Sequence, residues 1–410
     1  MRTAILLLSS LIFLTSSAAA QLGWYQQRQE GEAILYSIDL YDSQHITVVG
    51  SDGLILQSND GGSLWLTKTS GAADNLRRVR WFSPSLGVVL GNNGVALKSV
   101  DGGASWQAMN TGTSEALFDV HFFDENSWMV VGRAALVLTT TNAGASWENK
   151  GSGINNYNEI SFNGDLGVIV GNKGTIRVTS DGGKRWRDRS GVTDYELTSV
   201  SIGDDSTAVA VGSNGTIVRT ANKGESWTEI SASVPISSFR LTGVRHLTRE
   251  RIILCGNGGL MLISTDTGLN WYSEASSTQS NLEALAFLND KIGMASGWDG
   301  AIVRTNSGGT VSVKRLANGH PSHVSIGESW PNPLARNAQA HVNIDLPRDG
   351  AVQLRVYDLL GRERKSIISG SMEAGTYTIS WESAALSKGV YLYRLEQQGS
   401  AQVRKFTVVD

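Results

Sequence analysis

The sequence predicts an all-β chain, a seven-bladed β-propeller followed by a small immunoglobulin-like β-sandwich. Tryptophans recur at 65, 106, 147, 186, 227 and 271, in steps of 41, 41, 39, 41 and 44 residues. A Gly-x-x-Gly pair keeps the same beat at Gly50/Gly53, Gly91/Gly94, Gly171/Gly174, Gly212/Gly215, Gly256/Gly259 and Gly297/Gly300, with Gly132 alone kept in the third unit. Past residue 316 the beat stops and longer alternating runs take over. Four short period-two apolar runs in about forty residues make one propeller blade, and seven units are visible.

The chain opens with an apolar run from Ala4 to Leu14 and leaves it through small residues, Ala18 and Ala20 preceding Gln21. Residues 1–20 therefore read as an export signal cut before Gln21, the run being too short to span a bilayer. With 410 residues and a net charge of −3, the chain can bury a large core, and its charge points to no nucleic-acid partner. Cys255 is the single cysteine and has no partner for an internal disulfide. It stands where other units carry Val49, Leu90, Val131, Val170, Val211 and Ser296, so it reads as a core residue.

Within a unit, taking the fifth, the order is "LTSVSIGD", "STAVAVG", "GTIVRT", "ANKGES" and "WTEI", which is three strands, a turn and an outer strand opened by Trp. The turn pairs Asp60 with Trp65, Asp101 with Trp106, Asn142 with Trp147, Asp181 with Trp186, Asn222 with Trp227 and Asp266 with Trp271. Its carboxylate accepts main-chain N–H groups further along the turn, Gly supplies the backbone freedom, and Trp covers the joint between sheets. Asn142 and Asn222 keep such a turn while removing the charge that a metal or a general acid needs. The boxes are therefore structural, and no metal or cofactor is expected. In the seventh unit Ser312 stands in place of the Trp, yet Trp24 lies one period before Trp65. The N-terminal strand around Trp24 is expected to close the ring, with residues 311–317 as the rival, and a closed ring without open edges suits a monomer.

These turns resemble the Asp-box, or BNR, repeat of sialidases, sortilin-like receptors and some glycoside hydrolases. Joined to the Gly-x-x-Gly pairs, they look most like the propellers of the photosystem II assembly and stability factor family. That resemblance covers residues 21–316 and implies the fold, while these boxes recur on many activities.

Residues 317–327 read as a polar linker. Beyond it, "PNP" at 331–333, "VYDLLGRE" at 356–363, "GTYTISW" at 375–381, "GVYLYRL" at 389–395 and "VRKFTVV" at 403–409 follow in order. Residues 328–410 resemble the type A C-terminal sorting domain of the type IX secretion system, which implies passage from the periplasm across the outer membrane and the secretion machinery as a partner. Gly361 and Gly389 are expected at turns, and Tyr357, Tyr391 and Tyr393 are expected to alternate between core and surface.

The connections between units vary while the boxes repeat, and varied loops on a rigid scaffold are where binding resides. On that face the sequence places Arg77, Arg78, Arg133, Tyr157, Tyr195, Phe239, Arg240 and Trp298. The equivalents of Trp298 are Ser51, Asn92, Arg133, Asn172, Ser213 and Asn257, so an aromatic there has no repeat-wide structural reason. The expected function is a secreted or cell-surface, non-enzymatic propeller that binds a protein or a glycan. The rival is a surface glycoside hydrolase, which needs two carboxyl groups about 5–10 Å apart. Asp74, Glu115, Glu159, Asp194, Glu196 and Asp299 are candidates, and no spacing singles out two of them. A sialidase is excluded because "ERIILCG" lacks the Pro of an Arg-Ile-Pro signature and sits in the sixth unit.

Overall fold

A computed structural model describes residues 23–409 apart from 205, 231–235, 275, 309–310, 318–320, 337, 373 and 384–385, with backbone alone at 272–273, 311–317, 369–371 and 382. The expected export signal at 1–20, with its cut before Gln21, lies outside the described residues. The described chain is all-β, interrupted only by turns and short 3₁₀ segments.

Seven four-stranded sheets form the blades. Blade 1 runs outward through Leu35–Leu40, Ile46–Gly50, Ile55–Ser58 and Leu66–Lys68. The inner strands of the other blades are Leu76–Trp81, Leu117–Phe122, Tyr157–Asn163, Leu197–Ile202, Leu241–His246 and Leu282–Phe287. Second strands such as Gly87–Gly91 are buried throughout, because both of their faces pack on neighbouring blades. The cores lie at the joints. One joins blade 2 to blade 3 through Val88, Leu90, Leu117, Val120 and Trp128, and another joins blade 7 to blade 1 through Met294, Ile302, Leu35 and Ile38.

The last blade has the order Leu282–Phe287, Gly293–Gly297, Ile302–Thr305 and then Trp24–Arg28, so the strand nearest the N-terminus is its outer strand. Trp24 is buried there, edge-on to Phe287 with ring centroids 5.8 Å apart. The paired glycines are fixed by the blade connections. A Cβ on Gly50 would collide with the carbonyl oxygen of Ile34, and one on Gly53, which has φ +70°, with that of Ala72. Cys255 is fully buried, and burial pushes its thiol up to about 12.

Residues 311–317 belong elsewhere. Val311–Ala317 pairs antiparallel with Gly375–Glu382, in the sheet that also holds Gln339–Leu346 and Ser325–Trp330. The strands of the sandwich thus begin before residue 317, and Ser325–Trp330 takes the last three residues of the stretch read as a linker. An alternating run specifies which of its faces is buried and not which sheet takes it. The second sheet of the sandwich contains Gly350–Asp358, Glu363–Met372, Gly389–Gln397 and Ser400–Val409, with Leu334–Ala335 at its edge. Trp381, Tyr393 and Phe406 are fully buried between the sheets. Tyr391 and Tyr393 both point inward, being two residues apart on one strand, whereas Tyr357 is half-buried. Gly361 turns with φ +75°, while Gly389 opens a strand.

Candidate functional site

Each inner strand shifts register between its first and third residues, at Leu35/Ser37, Leu76/Arg78, Leu117/Asp119, Tyr157/Glu159, Leu197/Ser199, Leu241/Gly243 and Leu282/Ala284. Such a bulge re-aims the side chains next to it. The first and fourth residues, such as Leu35 and Ile38, go to the joint cores. The second residues gather round one hollow of about 250 Å³: Tyr36, Arg77, Phe118, Asn158, Thr198, Thr242 and Glu283 all line it, one from each blade. This hollow is the mouth of the central channel, on the face of the blade connections.

Below the mouth, third and fifth residues stitch blades 1, 3, 4 and 5 each to the next. Ser37 Oγ accepts from Val79 N–H at 3.2 Å, Asp39 Oδ2 from Trp81 N–H at 2.7 Å, Asp119 Oδ2 from Ile160 N–H at 3.1 Å, Glu159 Oε2 from Val200 N–H at 2.8 Å and Ser199 Oγ from Val244 N–H at 3.1 Å. Three arginines neutralise the carboxylates. Arg78 Nε lies 3.0 Å from Asp119 Oδ1, and Arg245 Nη2 lies 2.9 Å from Glu159 Oε1, which Arg78 and Arg80 also approach at 3.3 and 3.5 Å. Burial pushes the Glu159 carboxyl up, and the guanidiniums of Arg245, Arg78 and Arg80 outweigh that push and hold it down at about 2. Burial raises Asp39 despite Arg80 beside it. Glu159, held down by three guanidiniums and bonded to Val200 N–H, ties neighbouring blades together as a buried anion.

The mouth is less tightly tied. Arg77 lies over the Tyr36 ring at 4.3 Å and donates from Nε to Asn92 Oδ1 at 3.0 Å. Arg240 reaches Glu196 at 3.5 Å, and Glu196 also accepts from Asn158 Nδ2 at 3.1 Å. Trp298 is 41% exposed and donates from Nε1 to Glu283 Oε1 at 2.7 Å, so its ring stands beside the mouth.

Of the residues expected on this face, the structure brings Arg77, Arg78, Arg240 and Trp298 to the channel. Arg78 is drawn inward into the ion cluster. Arg133 is exposed and 3.7 Å from Glu115, Tyr195 is exposed, and Phe239 is partly buried against the blade 5–6 core. Tyr157 does not lie on the open face. It is 5% exposed in the blade 3–4 joint, at the place held by Leu35, Leu76, Leu117, Leu197, Leu241 and Leu282 in the other blades. Asp39, Arg80, Asp119 and Arg245 were missed, although each charge occupies an inner-strand position at which other blades carry Ser, Gly or Ala.

Among the candidate carboxylates, Asp74 accepts from Asn93 at 2.7 Å and Asp299 from Ser280 at 2.9 Å. On the opposite face the boxes make one set of bonds whether Asp or Asn is present. Asp101 Oδ1 accepts from Ser99 Oγ at 2.8 Å and Ser105 N–H at 2.9 Å, and Asn142 Oδ1 from Thr140 Oγ1 and Ser146 N–H, both at 2.9 Å. Among the described residues no group of His, Cys, Asp and Glu could hold a metal ion, and no helix is long and apolar enough to cross a membrane.

The family described as photosynthesis system II assembly factor YCF48 matches residues 16–111, 71–153 and 153–237, and the secretion system C-terminal sorting domain matches residues 328–409. The chain is similar to a solved structure of YCF48 bound to D1 peptide, with 19% identity over 71% of this chain and 100% of that one, at a TM-score of 0.60. YCF48 from Cyanidioschyzon merolae is 18% identical over 69% of this chain and 98% of that one, at 0.59. The RRP9 WD40 repeats are 11% identical over 70% and 98%, also at 0.59. At these identities the likeness is one of fold. No curated protein matches the chain.

Proposed function

Since the chain belongs to the photosystem II assembly factor YCF48 family and ends in a secretion-system sorting domain, it is an exported propeller, and we propose that it acts at the cell surface as a non-enzymatic module that captures an extended protein segment across its channel mouth. The observation that carries this reading is the mouth itself. One strand position, repeated seven times, presents seven side chains of differing chemistry to a single hollow, with Trp298 and Arg240 beside it. Aromatic and Arg side chains on a rigid frame are common interface anchors. A solved relative, YCF48, holds a D1 peptide, which favours a peptide ligand here.

The test is capture from the organism's own surface fraction by residues 21–410, followed by affinity measurement on the protein recovered. Trp298→Ala with Arg240→Ala should weaken binding at least tenfold, the loss of two anchors. Undiminished binding would reject the mouth as the site. Turnover in a polysaccharide panel, abolished by replacing one mouth carboxylate such as Glu196, would favour the hydrolase instead.

A further inference from the structure

On the box face, a recurring bond fastens neighbouring blades. The side chain just before the box Ser or Thr crosses the joint and donates to a box carbonyl of the next blade. Gln57 reaches Gly102 O at 2.5 Å, Lys98 reaches Ala143 O at 3.0 Å, Arg219 reaches Thr267 O at 2.6 Å, and Arg304 reaches Gly61 O. At the blade 6–7 joint the residue is Ile263, which has no donor, and at the blade 4–5 joint Val178 packs against Gly224. At the blade 3–4 joint the residue is Thr139, whose short side chain turns back to Glu148 O of its own blade at 3.4 Å. The space a longer side chain would cross is a cavity of about 590 Å³, with Thr139 and Gly182 among its lining residues.

The lining has a definite chemistry. Trp186 contributes apolar ring surface beside the largely buried Tyr157, Arg177 and Lys184 contribute positive charge, Lys150 does so while paired with Glu148 at 2.7 Å, and Ser152 adds a hydroxyl to that of Thr139. Arg177 Nε–H is enclosed and has no acceptor among the described residues, and the Asp188 carboxylate oxygen beside this guanidinium is 3.8 Å from Nη1. An enclosed donor without a partner is costly unless an acceptor arrives. A hollow at the blade 1–2 joint has a similar volume, about 630 Å³, but Gln57 already bonds across it.

We propose that the blade 3–4 cavity is a second binding site, selective for an acidic sugar of one or two rings. Apolar ring surface suits the C–H face of a sugar, the hydroxyls suit its own hydroxyls, and the carboxylate suits Arg177 and Lys184. The volume is that of a small-molecule pocket. Two departures from the repeat meet here, Thr139 for a long donor and Tyr157 for a leucine, and both line the cavity.

The experiment is calorimetric titration of residues 21–410 with digalacturonate, with neutral digalactose and an acidic peptide as the other arms. Digalacturonate should bind at least tenfold more tightly than digalactose. Thr139→Arg should abolish binding while leaving the melting temperature unchanged or raised, since Arg219 makes the same crossing in blade 5. Arg177→Met should weaken binding about tenfold through loss of the charged donor, whereas Trp298→Ala with Arg240→Ala should leave it unchanged. The proposal is overturned if digalacturonate does not bind, if the acidic peptide alone binds, if folded Thr139→Arg binds undiminished, or if the mouth substitutions remove binding. Those last substitutions also keep this site distinct from the mouth in the outcome.

Discussion

Asp266 shows what a single box residue does. Its Oδ1 accepts from Ser264 Oγ and Asn270 N–H, both at 2.9 Å, and its Oδ2 from Asn270 Nδ2 at 2.6 Å. Asp266→Ala should cost about 1 kcal/mol in urea unfolding through the lost turn bonds, while Asp266→Asn should be nearly neutral. Asn142 already makes the same Oδ1 bonds, and its Nδ2 donates to Ser146 Oγ at 2.9 Å, a reversed bond that Asn270 can match by turning its amide oxygen inward. A large loss in the Asn variant would show that the charge itself matters. This role was legible in the sequence because the chain carries its own Asp-to-Asn comparison. Tyr157 was misread for the converse reason: residue type suggested a surface anchor, while its place among six leucines pointed to the joint.

At the scale of the strand, the inner strands set a dependence on pH. Burial holds His121 and His246 down at about 4, His121 lying 4.6 Å from the Phe162 ring. Both are neutral in the folded chain, whereas an unfolded chain takes up the proton near pH 6.5. Their contribution is therefore fully present above pH 6.5 and is lost as pH falls towards 4, on the order of 3 kcal/mol for each. His121→Phe should shrink the drop in urea midpoint between pH 7 and pH 4.5, and an unchanged drop would place its titration outside the core. The outer strand Trp24–Arg28 makes a second prediction. Trp24→Ala should destabilise the ring by about 3 kcal/mol, read by calorimetry, because it leaves a hole against Phe287. Spacing in the sequence pointed to this strand, since Trp24 keeps the beat. Nothing comparable assigned Val311–Ala317 to the sandwich, because its partner Gly375–Glu382 is distant along the chain and an alternating pattern carries no address.

For the whole molecule, the sandwich is the address and its boundary matters. The sorting-domain match begins at 328, but pairing begins with Val311. Residues 311–410 should therefore melt more cooperatively and at a higher temperature than residues 328–410, which lack Val311–Ala317 and half of Ser325–Trp330. Equal melting would mean that the early strands add nothing. The two-domain plan was visible as a change of beat, whereas the channel's ion cluster was not, since Arg245 meets Glu159 from 86 residues away. The pairing of Trp24 with Thr305 also has a consequence in time. A chain threaded across a membrane from its N-terminus delivers Trp24 ahead of the blades and Thr305 only after six of them have passed. Until then the indole has no seat and the last sheet has no rim. Closure thus reports completeness of the propeller and not of the chain: a product truncated before Ile302 remains an open arc, whereas one that reaches Thr305 can close before Val311 and the sandwich follow.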